Sequence, residues 1–473
     1  MARSSWAILL AVLVSCTLTR QDVAECKTSA ECRTAFGAGF SCGGDGFCAK
    51  AAPNPRCKQA YPEDLLTRPE SYPGIFIIGS IMDRSVDTQK DREAAIRLAT
   101  MQVNDQKGLD GHLFGVVQCD AAENAEYDSL KREDAAVADA RYLAAELGVP
   151  AIVGPSASGD VAAVLKALDG TGVLVISPSA SSPDLGSKNP TDEQPSLFWR
   201  TVPPDTLQGK AISRYLVKTS APTKNVVIID EKGPYGSALS EVFTSEFQKD
   251  GRTVKTSEFR NASERDAAIV TATSPAPPFV LFFSSQTADV IAFLNAASTL
   301  SSYDGVQIFL TDSAANTDLL NGVAEKKIFP RVTGSRPAIP KGPTFDLFKT
   351  SYSAAFKKDP SALGFAPQAY DATWMVFYGS ALSQRKEGAL TGLGIARGLR
   401  KISKSGAEVP VTPANWTKIA DAIGAGDPVN LDGASGKLDY DAFDETSSPV
   451  DIWKISADAK SIESIEEIDL AQP

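Results

Sequence analysis

Two α/β lobes, each a parallel sheet covered by helices on both faces, are predicted by three features of the chain. Short continuous apolar runs alternate with amphipathic stretches of helical period. The alternation stops at a Pro-rich break, Thr201-Val202-Pro203-Pro204, and restarts beyond it with the same grammar. A length of 473 residues, 43% of them hydrophobic, exceeds one ordinary domain and supplies two cores.

The N-terminus reads as an address. Arg3 precedes the apolar run Trp6-Ala7-Ile8-Leu9-Leu10-Ala11-Val12-Leu13-Val14, which describes an export signal over residues 1–15. The run falls short of the ~20 apolar residues a membrane-spanning helix needs. Leu13-Val14-Ser15-Cys16 resembles a bacterial lipobox, so Cys16 is expected to carry a lipid that holds the protein to a membrane from the periplasmic side of the cell envelope. The other reading is an ordinary cleaved signal with Cys16 merely nearby. Residues 16–72 would form a Cys-rich tether. Cys26, Cys32, Cys42, Cys48, Cys57 and Cys119 are an even number, with five inside 32 residues, as in a disulfide framework of an exported protein. Their spacing invites Cys26–Cys42 with Cys32–Cys48, leaving Cys57 for Cys119, although spacing alone does not fix connectivity. A metal site is the competing use, disfavoured by a single His and no C-x2-C pair.

The first lobe is expected over 73–202 and 337–435. Its strands are 74–81, 113–118, 150–153 and 173–176; its helices are 90–107, a stripe carrying Ala136, Ala140, Leu143 and Leu147, and 158–168. The second lobe, 203–336 and 436–473, opens with strand 225–229 and helix 235–249, whose Leu239, Val242, Phe243 and Phe247 share a face. Strand 279–283, helix 289–298 and strand 306–310 follow. A Pro-marked crossing at 329–340 leads to helices 345–356, 367–383 and 392–402, and strand-like segments 436–441 and 450–455 end the chain.

Several functions lack their residues. With a net charge of −11 and no basic stretch longer than a pair, nothing would track a nucleic-acid backbone. His112 is the only His and opens a strand, so a Ser-His-Asp or Cys-His centre has little to build on. Gly154-Pro155-Ser156-Ala157-Ser158-Gly159 lacks nucleophile-elbow spacing, and Gly433-Ala434-Ser435-Gly436-Lys437 lacks the upstream Gly and following hydroxyl of a phosphate loop. Asp439 and Asp441 alternate along a strand-like segment, where such pairs face solvent. No enzyme, no cofactor and no resident metal are expected.

Three segments together resemble the type I periplasmic solute-binding proteins, in particular the leucine/isoleucine/valine-binding branch that serves ABC transporters. They are Ala151-Ile152-Val153-Gly154-Pro155-Ser156-Ala157-Ser158-Gly159, Val175-Ile176-Ser177-Pro178-Ser179-Ala180-Ser181-Ser182-Pro183 and Phe198-Trp199-Arg200-Thr201-Val202-Pro203-Pro204-Asp205. Tyr235-Gly236, Tyr370-Asp371-Ala372 and Gly433-Ala434-Ser435-Gly436-Lys437-Leu438 fit later parts of the same pattern. The resemblance implies two Rossmann-like lobes joined by a multi-strand hinge, closing over a ligand.

Both Ser-rich loops follow carboxyl ends of parallel strands, where open α/β sheets bind ligands. The resemblance places Ser158 on the ligand carboxylate, at a helix N-terminus suited to an anion. It places the Ser179 carbonyl and the Ser181 hydroxyl and N–H on the amino acid moiety. From the other lobe it brings Tyr235, and Asp312 for the ammonium, with a one-residue shift putting Ser313 there instead. Gln286 stands where the family usually has a tyrosine, and the loop 83–89 lacks the aromatic that relatives place on the ligand side chain. The implied function is capture of an amino acid or similar small carboxylate, by hinge closure, for an ABC permease. The alternative is a lipid-anchored interaction or sensory module with an altered pocket.

Overall fold

The structure, a computed structural model, describes residues 25–470 except 125, 188, 220–223, 363 and 403–404. The expected export signal and Cys16 lie outside the described residues. Among the described residues no helix is long and apolar enough to cross a membrane.

The six remaining cysteines pair as Cys26–Cys42, Cys32–Cys48 and Cys57–Cys119. The first two cross-link the helix Ser29–Phe36 with the hairpin Phe40–Cys42 and Cys48–Lys50. This knot is docked rather than hanging as a free tether. Arg33 donates from Nη1 to the carbonyls of Ala145 (3.2 Å) and Glu146 (3.1 Å), at the C-terminal end of the helical stretch that begins at Arg132. A cation there is favoured by the helix dipole.

The first sheet contains β1 (Gln59–Tyr61), β2 (Phe76–Met82), β3 (Phe114–Asp120), β4 (Ala151–Val153), β5 (Leu174–Ser177) and β6 (Phe198–Arg200), in the order β1-β3-β2-β4-β5-β6. Strands β2 to β6 run parallel, whereas β1, from the segment expected to be tether, pairs antiparallel with β3 beside the Cys57–Cys119 bridge. Every residue of β3 is buried, as a strand covered on both faces requires. One face packs helices Asp87–Asp105 and Ala366–Glu387; the other packs Arg132–Arg141 and Ser158–Ala167. Helix Ala366–Glu387 is buried on every side as far as Ser383 because the helices Gly392–Leu399 and Trp416–Ala425 cover it. It meets the first of these at Gly379 and Gly398, where a Cβ on Gly398 would lie 2.6 Å from the Gly379 Cα.

The second sheet contains β7 (Asn225–Glu231), β8 (Thr253–Phe259), β9 (Phe279–Phe283), β10 (Gln307–Leu310), β11 (Val332–Pro337), β12 (Val450–Ile455) and β13 (Ile462–Ile468). Their order is β8-β7-β9-β10-β11-β12-β13, with β12 antiparallel to both of its neighbours, β11 and β13. Three of these strands differ from expectation. Exposed polar residues alternate along edge strand β8, so it lacks an apolar run, and β13 is an edge of the same kind. The Pro-marked crossing contains β11 before it turns.

The chain passes between the lobes three times, after β6, after β11 and before β12. The last return comes later than expected, since Leu438 and Tyr440 still pack in the first lobe's core. The strand expected at 436–441 shrinks to Gly436–Lys437, in a small sheet with Asn430–Gly433 and Glu408–Pro410. The crossings are tied together: the Tyr440 hydroxyl donates to the Arg200 carbonyl (2.7 Å), and Arg336 pairs with Asp451 (2.9 Å).

Candidate functional site

A cavity of about 350 Å³ lies between the lobes, at the carboxyl ends of the parallel strands. Its first wall begins at Gly154, which leaves β4 at φ +99°; a Cβ there would meet the Ile81 carbonyl at 2.3 Å. Only glycine allows this close crossing of β2, and it delivers Ser156, Ala157 and Ser158 to the cavity. Ser158 is the first residue of helix Ser158–Ala167 but does not cap it, since the N-cap position belongs to Ala157. Its hydroxyl instead accepts from the Ser182 N–H (3.2 Å), linking the two Ser-rich loops.

Ser177, at the end of β5, organises the second loop by accepting from the Ala180 N–H (3.0 Å) and donating to the Pro155 carbonyl (2.6 Å). The Ser179 hydroxyl faces the cavity and donates to the Ser156 carbonyl (2.9 Å). Ser181 departs from expectation. It is buried behind the wall, its carbonyl accepting from the Asp205 N–H (2.8 Å), and it does not line the cavity. Arg200 holds this loop from behind. It donates to the carbonyls of Ala180 (3.2 Å) and Ser182 (2.8 Å) and pairs bidentately with Glu445 (both bonds 2.6 Å).

The second wall comes from the ends of β7, β9 and β10. Tyr235 precedes helix Gly236–Phe247 and donates its hydroxyl to Asp312 Oδ1 at 2.6 Å. Gln208 Nε2 donates to the same oxygen (3.2 Å) and to Ser335 Oγ (3.0 Å). Burial raises the pKa of Asp312, while the bonds from Tyr235 and Gln208 and the field of Arg92 pull it back. Nearby Asp205 is pushed up to about 8 by burial and then by Asp312, so it holds a proton at neutral pH. Ser313 also lines the cavity, but its hydroxyl donates to the Ser284 carbonyl (2.5 Å), and the acidic groups of this wall are Asp312 and Asp318. Gln286 lines the cavity at the start of helix Thr287–Ala297 and donates to Ser285 Oγ (2.9 Å).

Five of the six expected ligand-binding residues thus share one cavity: Ser158, Ser179, Tyr235, Gln286 and Asp312. The loop 83–89 also lines it, through Asp83, Ser85 and Gln89, and presents no aromatic ring. Sequence reasoning missed Arg92, which reads as surface among Lys90, Asp91 and Glu93, and Phe365, which stands at φ +66° before helix Ala366–Glu387. The signal for Arg92 was its place one helical turn after Thr88 and Gln89, which puts all three on the cavity side.

Other motif residues serve the frame. The carboxylate of Asp371 accepts from the N–H groups of Ala434 (2.9 Å) and Ser435 (2.7 Å), closing the turn at 433–436. Gly433 lies so close that a Cβ would meet Asp371 Oδ2 at 2.3 Å.

Comparison with known proteins agrees with this architecture. The profile of the family described as receptor family ligand binding region matches residues 91–458. A Leu/Ile/Val-binding protein of Rhizobium johnstonii is 29% identical over 124 residues, 26% of this chain and 32% of that protein. A Leu/Ile/Val-binding protein homolog of Brucella melitensis is 28% identical over 29% of this chain and 36% of its own length. These alignments span about a third of the curated relatives' length. A chemotactic signal transduction system substrate-binding protein of Halobacterium salinarum is 24% identical over 74% of this chain and 79% of that protein. Among solved structures, a leucine-binding protein of Thermotoga maritima superposes with a TM-score of 0.65 at 17% identity, covering 84% of this chain and 100% of the other. A branched-chain amino acid transporter substrate-binding protein of Streptococcus pneumoniae, in complex with isoleucine, gives 0.63 at 19% identity over 83% and 99%. The fold is that of the type I periplasmic binding proteins, and these relatives and neighbours are substrate-binding proteins rather than enzymes.

Proposed function

We propose, from the premise that the chain belongs to the family of the receptor ligand binding region, that it is an extracytoplasmic solute-binding protein for an amino acid or similar small carboxylate. The ligand docks between the lobes, which close over it and present it to an ABC permease, while acylated Cys16 keeps the protein at the membrane. The observation that carries this reading is the pairing of opposite chemistries across one cavity. Ser158 and the N-terminus of its helix offer donors for a carboxylate, and Asp312, steadied by Tyr235 and Gln208, offers an acceptor for an ammonium. Burial disfavours the Asp312 carboxylate, so an ammonium placed against it would offset that cost.

Binding to the native state raises stability by mass action, about 2.7 kcal/mol at a ligand concentration of 100 Kd. A thermal-shift panel of amino acids, their amides and small organic acids is expected to return at least one stabilising ligand, and Ser158→Ala with Asp312→Ala is expected to abolish the shift. A panel without any stabilising member would overturn the reading. A sensory role is the second reading, supported by the likeness to the Halobacterium salinarum chemotactic protein over 74% of this chain. Ligand uptake by cells with and without the chain separates the two: uptake depends on it under delivery and is indifferent to it under sensing.

A further inference from the structure

Arg92 has no role in the binding scheme above, yet it is the only cation on the cavity wall among the described residues. It is 8% exposed. Its Nε donates to the Gly364 carbonyl (3.0 Å), its Nη1 donates to Ser179 Oγ (3.1 Å), and its guanidinium carbon lies 5.0 Å from the Phe365 ring centroid. All three partners are uncharged. The nearby acids are engaged elsewhere: Asp91 pairs with Lys358 (2.7 Å), and Asp312 accepts from Tyr235 and Gln208. Among the described residues no carboxylate comes within ion-pair distance of Arg92. Burial draws its pKa down only to about 10, so it stays charged at neutral pH.

A buried cation without a counter-charge is costly, and such groups in a binding cavity are completed by what binds there. Arg92 reaches the cavity beside Ser179 and the 364–365 corner, whereas Ser158 is engaged by Ser182; the two meet through the Ser179 hydroxyl, which accepts from Arg92 and donates to the Ser156 carbonyl. The apolar part of the wall, in which Val86, Ile291 and Phe365 are the largest members, exceeds the polar part, so Arg92 stands as a cation set into a largely apolar lining. Asp83 and Asp318 also face the cavity, and burial with the fields of Asp87 and Asp91 raises the Asp318 pKa against a smaller opposing pull from Lys90.

We propose that the ligand carries a second anionic group and that Arg92 reads it, so that the preferred class is an acidic amino acid or a comparable amine-bearing dicarboxylate. This deepens the proposed function and rests on it. The competing classes are a branched-chain side chain, for which Arg92 is wasted, and a cationic side chain directed at Asp83 and Asp318.

The test is calorimetric titration of the full chain with glutamate, aspartate, glutamine, leucine and lysine, repeated on Arg92→Gln and Arg92→Lys. Wild type is expected to bind glutamate or aspartate at least about tenfold more tightly than glutamine or leucine, the scale of one charge-assisted hydrogen bond. Arg92→Gln is expected to bring the acid-to-amide affinity ratio down toward one, and Arg92→Lys to retain part of the preference. Leucine or lysine binding wild type as tightly as the acids would overturn this inference and leave the proposed function standing. An unchanged acid-to-amide ratio in a folded Arg92→Gln would do the same. Absence of binding by all five would overturn this inference, while the proposed function falls only if the wider thermal-shift panel is also empty. The wild-type ligand ratio decides the matter even where a variant does not fold.

Discussion

Replacing Glu445 by Gln tests how the site is held. Arg200 is 1% exposed and Glu445 is the only carboxylate that pairs with it among the described residues, through two bonds of 2.6 Å. The substitution leaves the guanidinium buried with two carbonyls, of Ala180 and Ser182, as its remaining strong acceptors. Removing one partner of a buried pair costs about 3–5 kcal/mol, because the remaining charge stays desolvated. Urea unfolding of wild type and Glu445→Gln measures this as a shift in midpoint at constant slope. The matched control is Glu70→Gln. Its pair with Lys50 (2.9 Å) has both side chains about half exposed and screened by water, so the midpoint is expected to move little. The variant is also expected to weaken ligand binding, since Arg200 fixes the loop that presents Ser179. A Glu445→Gln cost no larger than that of Glu70→Gln would refute the reasoning.

Three further predictions follow from named groups. Converting Cys57 and Cys119 to Ala opens a loop of sequence separation 62, and the chain-entropy model expects a loss of about 4 kcal/mol, readable by the same unfolding assay. Burial raises the pKa of Asp139 to about 8, and of Glu93, Asp230 and Asp371 to about 7. The native state therefore keeps protons that the unfolded chain releases above about pH 4, so the contribution of these four groups is fully present below that value and is lost as pH rises through 7 to 8. Tm is expected to be lower at pH 8.5 than at pH 6, and a rising Tm over that span would contradict the assignment. Tyr235→Phe keeps the ring but removes a hydroxyl that donates to Asp312. Ligand affinity is expected to fall about tenfold, with the deficit widening as pH drops, because Asp312 loses a bond that favours its charged form.

The parts of the fold legible in the sequence are those whose burial is continuous. Strands β2, β3, β5 and β9 are apolar runs because both faces are covered, and no polar alternation interrupts them. Strand β8 was illegible for the opposite reason: Thr253-Val254-Lys255-Thr256-Ser257-Glu258-Phe259 lies at an edge and mostly faces solvent. The helix after it, Ala262–Ala272, buries only Ala268, Ile269 and Ala272, too thin a stripe to stand out. In the site, Ser158, Ser179 and Asp312 were legible because strand ends announce themselves. Arg92 was not, because a charged cluster in the first turns of a helix ordinarily faces water. Here the helix start points into the cleft, and Asp91, Arg92 and Glu93 are all buried.

The residues that carry the resemblance and those that touch the cavity are only partly the same, and this decides what the resemblance is worth. Arg200 with Glu445, and Asp371 with the turn at 433–436, spend buried charge on holding loops and crossings in register, without reaching the cavity. Such groups are required by any ligand of this fold, since a misplaced loop misplaces Ser179 for all of them. The groups that would meet a ligand's side chain are Asp83, Ser85, Arg92, Gln286 and Phe365, and they lie where the sequence departs from the branched-chain pattern or where that pattern is silent. The shared motifs therefore argue for the hinge and for the amino-acid end of the pocket, while the side-chain end must be read from its own chemistry. That end presents one buried guanidinium together with Asp83 and the Phe365 ring, and the guanidinium is the group an anionic side chain would use and leucine would not.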